Sequence, residues 1–160
     1  MATLAELPLK YRLGLTVYPW RVIRPDPWTL LDRPLSAVRL ALVTSAGLYH
    51  PDRDARFVTE LGGDSSVRWI DGDQAISELR IGQRSESFDR AAIEADRNEA
   101  FPLDRLRELV DQGKLGSLAE RHLSFNGSIT APGRLVRDSA PAVAAALTRD
   151  RVDAALFVPV

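Results

Sequence analysis

Residues 101–127, FPLDRLRELVDQGKLGSLAERHLSFNG, contain a helix pattern followed directly by a strand pattern. Pro102 suits the first helical turn, because its missing N–H would have no partner there. Gly113 suits the position just past the helix end, where the backbone is often left-handed. Between these two residues the apolar side chains recur at helical spacing, at Leu103, Leu106, Leu109 and Val110. The remainder predicts a strand that runs into a loop at Asn126 and Gly127.

Similar elements lie on both sides of this stretch. Residues 37–43 predict a buried strand, and a turn at Gly62-Gly63 precedes another strand around residues 67–70. An Ala-rich segment, residues 133–150, predicts a helix, and residues 154–160 predict a final buried strand. Strands that alternate with helices indicate an α/β fold. We expect an open, mainly parallel sheet with flanking helices, of the flavodoxin-like or doubly wound kind.

The first 36 residues differ in composition from the rest. Prolines at positions 19, 25, 27 and 34 disfavour helices and central strands. We therefore expect residues 1–36 to form an extended, Pro- and Trp-rich arm, and residues 37–160 to form a single α/β domain. Trp20 and Trp28 would anchor the arm, either on the edge of this chain's own core or on a partner subunit.

The composition of the 160 residues excludes several classes of function. The chain has no cysteine, which rules out disulfides and a thiol nucleophile within these residues. The formal net charge of -1 disfavours non-specific nucleic-acid binding. No apolar run approaches the roughly 20 residues that span a bilayer. The first residues lack a signal-peptide pattern, so we expect a cytoplasmic protein that binds no membrane.

Few residues could carry acid–base chemistry. His50 and His122 are the only histidines. His122 lies near the expected carboxyl end of a strand, where it could act as a general acid or base near neutral pH. A hydrogen-bonded structural histidine is the alternative. Asp64 and Ser66 follow two glycines, and turn capping explains them without chemistry.

Acidic residues concentrate between residues 89 and 99, but they match no known calcium loop. We expect a solvated face there and no metal site. The chain also has neither a nucleophile elbow nor a phosphate-binding loop.

Three stretches carry a resemblance to a known family: ALVTSAGLYH (residues 41–50), GDSSV (63–67) and FDRAAIEADRNEAFPLDRLRELVDQGKLGSLAERHLSFNG (88–127). They resemble the selenoprotein B family of glycine, sarcosine, betaine and D-proline reductases, above all its short D-proline-reductase-type subunit. The resemblance runs from about residue 37 to residue 160. Its ordered pattern is carried by Asp89, Asp96, Asn98, Phe101, Pro102, Asp104, Arg105, Leu106, Arg107, Glu108, Leu109, Gly113, His122, Ser124, Phe125 and Gly127.

The resemblance implies a redox centre outside these 160 residues. In the family, the strand that corresponds to DAALFVPV (residues 153–160) leads directly into selenocysteine or cysteine, two further residues and a cysteine. We therefore expect no cofactor within this chain and a selenocysteine or cysteine immediately after Val160. Because UGA encodes selenocysteine and is normally a stop codon, we hypothesise that the chain was ended there. The domain would then be truncated at its C-terminus and inactive alone.

The family chemistry is the reductive cleavage of C–N bonds in amino acids or related amines, with thiols as electron donors and a partner subunit. Within this chemistry His122 is our candidate for the proton donor to the leaving group, on its expected position alone. The walls of the substrate pocket would come from Ser45, Gly47, Asp64, Ser66, Ser124 and Gly127. Two departures from the family pattern leave the substrate open. Arg84 and Ser85 stand where members often have a Ser-His pair, and Asn126 stands where they often have Met.

Two other interpretations stay open. The chain could be a non-catalytic α/β protein that binds a partner subunit or a small amine. It could also be an unrelated hydrolase that uses His122 with Asp64 or Asp104. In the 160-residue form the last strand would be uncovered on one face, so we expect the chain to form a homo-oligomer or to aggregate.

Overall fold

A computed structural model of the chain describes residues 4–18, 22–27, 29–58, 62–83 and 89–160. The chain divides into two compact units, residues 1–30 and residues 31–160.

The first unit contains a helix, α1, from Leu9 to Val17. The prediction of an extended arm is therefore wrong for these nine residues. The physical reason is the placement of the prolines, which flank the helix without interrupting it. Pro8 occupies the N-cap with φ of -52°. Tyr18, which precedes Pro19, is extended, as expected for a residue before proline. Trp20 and Trp28 lie outside the described residues.

The second unit is built around the central strand β1, Arg39–Thr44. Three strands pair with β1 in parallel: β5 and β6 along one edge and β7 along the other. The strand β3 pairs antiparallel with the outer edge of β6, and β2 forms a separate antiparallel pair with β4. These strands are β2 Leu48–Tyr49, β3 Val67–Asp71, β4 Arg80–Ile81, β5 Ser117–Leu118, β6 Arg121–Phe125 and β7 Ala154–Val158. The predicted α/β class with a mainly parallel sheet is confirmed.

The helices of the second unit are α2 (Arg90–Ala95), α3 (Leu103–Asp111) and α4 (Ala140–Arg149). As predicted, α3 begins directly after Pro102, and Gly113 past its end has φ of 69°. A π-helical turn, Leu135–Ser139, precedes α4. Pro141 lies in the first turn of α4 and has no N–H to donate, which accounts for the irregular start of this helix.

The two faces of the sheet carry different helices. On one face the core cluster joins Leu42 of β1 to Phe101 and Leu103, so this face carries α3. Arg121 of β6 points to the other face, where its guanidinium bonds to Asp150 at the end of α4. Because strand side chains alternate between faces, α3 and the end of α4 lie on opposite faces of the sheet.

The last strand differs from its prediction as a buried strand. In the described part of the chain β7 pairs only with β1, which makes it an edge strand. Leu156 is 39% exposed and Phe157 is 66% exposed. An apolar run of this length predicts a strand, but it does not reveal whether a helix covers the strand.

Candidate functional site

The loops that follow β1 and β6 meet at one edge of the sheet, because parallel strands share their carboxyl ends. Gly47 N–H donates to Phe125 O at 2.9 Å, and Gly127 N–H donates to Ser45 O at 2.9 Å. Ala46 and Asn126 form an antiparallel bridge between the same loops. Val160 arrives at this edge from β7. We call this group of residues, Ser45, Gly47, Gln83, Asn126, Gly127 and Val160, the carboxyl edge.

Two glycines allow the backbones of the carboxyl edge to approach closely. Gly47 has φ of 65°. A Cβ atom at Gly47 would lie 3.1 Å from Gln83 N and 3.2 Å from Asn126 Oδ1. A Cβ atom at Gly127 would lie 2.9 Å from Gln83 Nε2. At Gly47 a larger residue would press on the Gln83 backbone and strain the left-handed backbone, so glycine is favoured there. At Gly127 the nearest atom is the end of the Gln83 side chain, which can move away.

Gln83 and Asn126 belong to this site although the sequence did not mark them as functional. Gln83 is 4% exposed, and Arg90 donates to its backbone oxygen. Asn126 Oδ1 is buried and has no hydrogen-bond partner among the described residues. The position of Asn126 beside Gly127 was a usable signal. Gln83 carries no sequence signal, because only the fold brings it to these loops.

The end of β7 is tied to this edge by Ser45. The Ser45 hydroxyl accepts a hydrogen bond from Val160 N–H at 2.9 Å and donates one to Val160 O at 3.1 Å. Three of the predicted pocket residues, Ser45, Gly47 and Gly127, therefore lie together.

Asp64 and Ser66 lie on a neighbouring loop and bond to each other. Because Val67 pairs with Phe125, the start of β3 lies at the carboxyl end of β6. Asp64 accepts from Ser66 N–H at 2.8 Å, from the Ser66 hydroxyl at 2.5 Å and from Val58 N–H at 2.8 Å. Burial alone would raise the pKa of Asp64, but these hydrogen bonds and the charge of Arg68 outweigh it, so that the pKa is lowered. The contacts are those of a capped turn.

His122 follows Arg121 on β6, and its side chain lies away from solvent. It is fully buried, and its Nδ1 accepts a hydrogen bond from Leu42 N–H at 3.1 Å. Phe101 packs edge-on against the ring, with 6.0 Å between centroids. Burial, aided by the charge of Arg107, lowers the pKa of His122 to about 4. The ring is therefore neutral at pH 7 with its proton on Nε2, which has no partner among the described residues.

This environment supports a structural histidine, the alternative to a proton donor. It also contradicts the hydrolase interpretation, because in the described residues His122 has no hydrogen bond to Asp64 or Asp104. Ser124, on the same face of β6, is also fully buried, and its hydroxyl accepts from Leu48 N–H at 2.7 Å. His122 and Ser124 thus lie behind the carboxyl edge.

The acidic residues of the family-like pattern cap helices. Asp89 accepts from Ala92 N–H at the start of α2, at 3.1 Å. Asp96 accepts from Asn98 N–H at 2.9 Å, and this bond is the main cause of its lowered pKa. Asn98 in turn accepts from Asp104 N–H at 3.2 Å in the first turn of α3.

Arg107 extends this network to the turn after β3. It bonds to Asp104 at 2.7 Å, to Gly72 O at 2.8 Å and to Gln74 O at 3.0 Å. These contacts give Asp104 a structural role. Arg84 and Ser85, where the pattern departs from the family, lie outside the described residues.

No helix in the described ranges combines the length and apolar character needed to cross a bilayer.

Comparison with known proteins identifies relatives. Residues 24–159 match the family model described as Glycine/sarcosine/betaine reductase selenoprotein B. The D-proline reductase subunit gamma of Acetoanaerobium sticklandii is 33% identical over 136 residues, which cover 84% of this chain and 54% of that protein. The Sarcosine reductase complex component B subunit beta of Peptoclostridium acidaminophilum is 30% identical over 118 residues, which cover 74% of this chain and 27% of that protein.

No solved structure matches the chain. The chain spans about half of the first relative and about a quarter of the second. The family match nevertheless covers the helix-capping network and every residue of the carboxyl edge except Val160. The chain therefore belongs to the glycine/sarcosine/betaine reductase selenoprotein B family.

Proposed function

We propose that this chain is part of a reductase subunit that cleaves a C–N bond in an amino acid or a related amine. Family membership supports the reaction class. The observation that supports the location is the carboxyl edge, where the ends of β1, β6 and β7 come together around Ser45. Ligands of open α/β sheets bind outside the carboxyl ends of the strands.

We propose further that a selenocysteine or cysteine follows Val160. Such a residue would supply a nucleophilic selenolate or thiolate, with electrons delivered by thiols. Val160 is held at the carboxyl edge by Ser45, so a residue that follows it would begin beside Ser45. The chain's own residues would then act as the wall of the pocket: Ser45 holds the strand end, and Gly47 and Gly127 let the two loops pack closely. Asn126 Oδ1 lies buried beside Gly47 and has no partner among the described residues.

The proposed roles of the other predicted residues follow from where they lie. Asp64 and Ser66 shape the neighbouring loop through their mutual hydrogen bonds. Ser124 fixes the start of β2 behind the edge. A proton donor close to the leaving group stays a proposal for His122, and it would require the ring to leave the hydrogen bond with Leu42 N–H.

The gene itself gives the decisive test. The codons after Val160 should be read and the complete coding region expressed, with selenocysteine insertion if the next codon is UGA. The product should be incubated with a dithiol and with D-proline, sarcosine, glycine or betaine, both alone and with the neighbouring reductase genes coexpressed. We expect cleavage of at least one amine, abolished by iodoacetamide and absent from the form that ends at Val160. A reading frame with no selenocysteine or cysteine after Val160 would refute the proposed function.

A non-catalytic role in binding a partner is the second candidate. Phe157 and Leu156 expose apolar surface on the edge strand β7, and such surfaces favour association. Both relatives carry the word subunit in their names. We propose that this chain associates with a partner reductase subunit or with a second copy of itself. If the complete gene product binds the amines without cleaving them under any of the conditions above, this second role is favoured.

A further inference from the structure

The end of β7 is held by a side chain where backbone pairing stops. Ser45 N–H donates to Val158 O at 3.2 Å. Pro159 has no N–H, so it cannot donate to a neighbouring strand. Beyond it, the Ser45 hydroxyl accepts from Val160 N–H and donates to Val160 O, at 2.9 and 3.1 Å. One hydroxyl can do both, because it has one hydrogen and two lone pairs. The side chain of Ser45 thus continues the pairing of β1 and β7 past Pro159.

Ser45 is itself held in place by the loop that follows β6. Gly127 N–H donates to Ser45 O at 2.9 Å, and a Cβ atom at Gly127 would lie 3.7 Å from Ser45 Cβ. Gly47 N–H donates to Phe125 O, which ties the other side of the same loop. The hydroxyl of Ser45 therefore extends from a backbone that is fixed on both sides.

We propose that Ser45 is a positioning residue for the selenol or thiol that follows Val160, an inference that rests on the proposed function. By holding both backbone groups of Val160, Ser45 fixes the direction in which the chain leaves β7. The residue that carries the reactive atom then starts from a defined point beside Ser45. A fixed reactive atom reaches the reacting geometry more often than a mobile one, so that holding it raises the rate of the chemical step.

The contact itself can be tested in the 160-residue chain. Ser45→Ala removes both hydrogen bonds to Val160, whereas Ser139→Ala removes an unrelated hydroxyl that donates to Ser65 O. In Ser45→Ala we expect the Val160 amide to exchange with solvent about tenfold faster, as for one lost hydrogen bond. NMR exchange measurements on the wild type and on Ser139→Ala provide the reference. Equal exchange of Val160 in all three proteins would overturn the inference.

The positioning role is tested in the complete gene product with its partner subunits. For Ser45→Ala we expect kcat to fall about tenfold while KM stays within about twofold, because binding is kept and alignment is lost. The rate of alkylation by iodoacetamide should change as well, and Ser45→Thr, which keeps the hydroxyl, should restore both. If the wild type is active and Ser45→Ala is equally active, this inference alone is overturned. A wild type without an alkylatable residue after Val160 overturns the proposed function and this inference with it.

Discussion

Acidification should destabilise the folded domain through a single buried side chain, His122. Burial holds the pKa of His122 at about 4, against 6.5 for an ordinary histidine. The unfolded chain therefore binds a proton between these values that the folded chain does not bind. The contribution of His122 to the free energy of unfolding is fully present above pH 6.5 and falls as the pH drops toward 4. The gap corresponds to about 3 kcal/mol, of which about 2 kcal/mol is lost by pH 5.

The variant His122→Asn isolates this effect. The asparagine side chain can offer an oxygen to Leu42 N–H near the position of Nδ1, but it does not titrate. We expect the variant to be less stable at pH 7 because it leaves a cavity. Its stability should nevertheless stay nearly constant between pH 7 and pH 5, where the wild type loses about 2 kcal/mol.

Urea unfolding at pH 7, 6 and 5, followed by circular dichroism, measures both proteins. The carboxylates with lowered pKa, Asp64, Asp96 and Asp150, lose their contribution at lower pH and do not interfere. The control variant His50→Asn keeps His122 in place. It should therefore show the same pH-dependent loss of stability that is attributed to His122. Equal losses in the wild type and in His122→Asn would refute the assignment to His122.

Three further predictions concern packing, capping and association. Gly47→Ala should destabilise the chain by about 1–3 kcal/mol, because Gly47 has a positive φ and lies close to Gln83 N. Gly14→Ala should not destabilise it, because no atom lies within 4 Å of the added Cβ in α1. Thermal unfolding compares the two variants, and equal losses of stability would contradict the packing argument. Asn98→Ala should lower the free energy of unfolding by about 1 kcal/mol, because it removes a cap of α3. Arg105→Ala, which removes an exposed ion pair, should lower it by less than about 0.5 kcal/mol. The urea unfolding midpoints of the two variants measure this difference. Phe157→Ser should reduce self-association in sedimentation experiments. A wild type that sediments as a monomer would exclude a homo-oligomer.

Local signals in the sequence were sufficient for the central part of the fold. Pro102 and Gly113 set the limits of α3, because each acts through its own backbone geometry. The N-terminal helix α1 was missed because proline composition was averaged over 36 residues, although Pro8 marks its start. The single predicted strand before Asn126 is split into β5 and β6, which pair with successive parts of β1.

The candidate site was only partly accessible from sequence. Glycines and a serine after β1 and β6 could be placed at one edge by topology alone, since parallel strands share their carboxyl ends. The direction of His122 could not, because a shift of one residue along a strand moves a side chain to the other face. The approach of Gln83 depends on the β2–β4 pair, whose two-residue strands leave almost no pattern.

The helix-capping network has a consequence for how proteins of this kind are sorted. The long pattern from Asp89 to Arg107 consists largely of residues whose hydrogen bonds cap or connect α2, α3 and the turn after β3. Under the proposed function, recognition of the family and choice of ligand depend on separate residues. A protein could then keep the whole helix-capping pattern and accept a different amine by exchanging one or two residues such as Asn126. Ligand preference should be compared at those few positions rather than across the overall similarity.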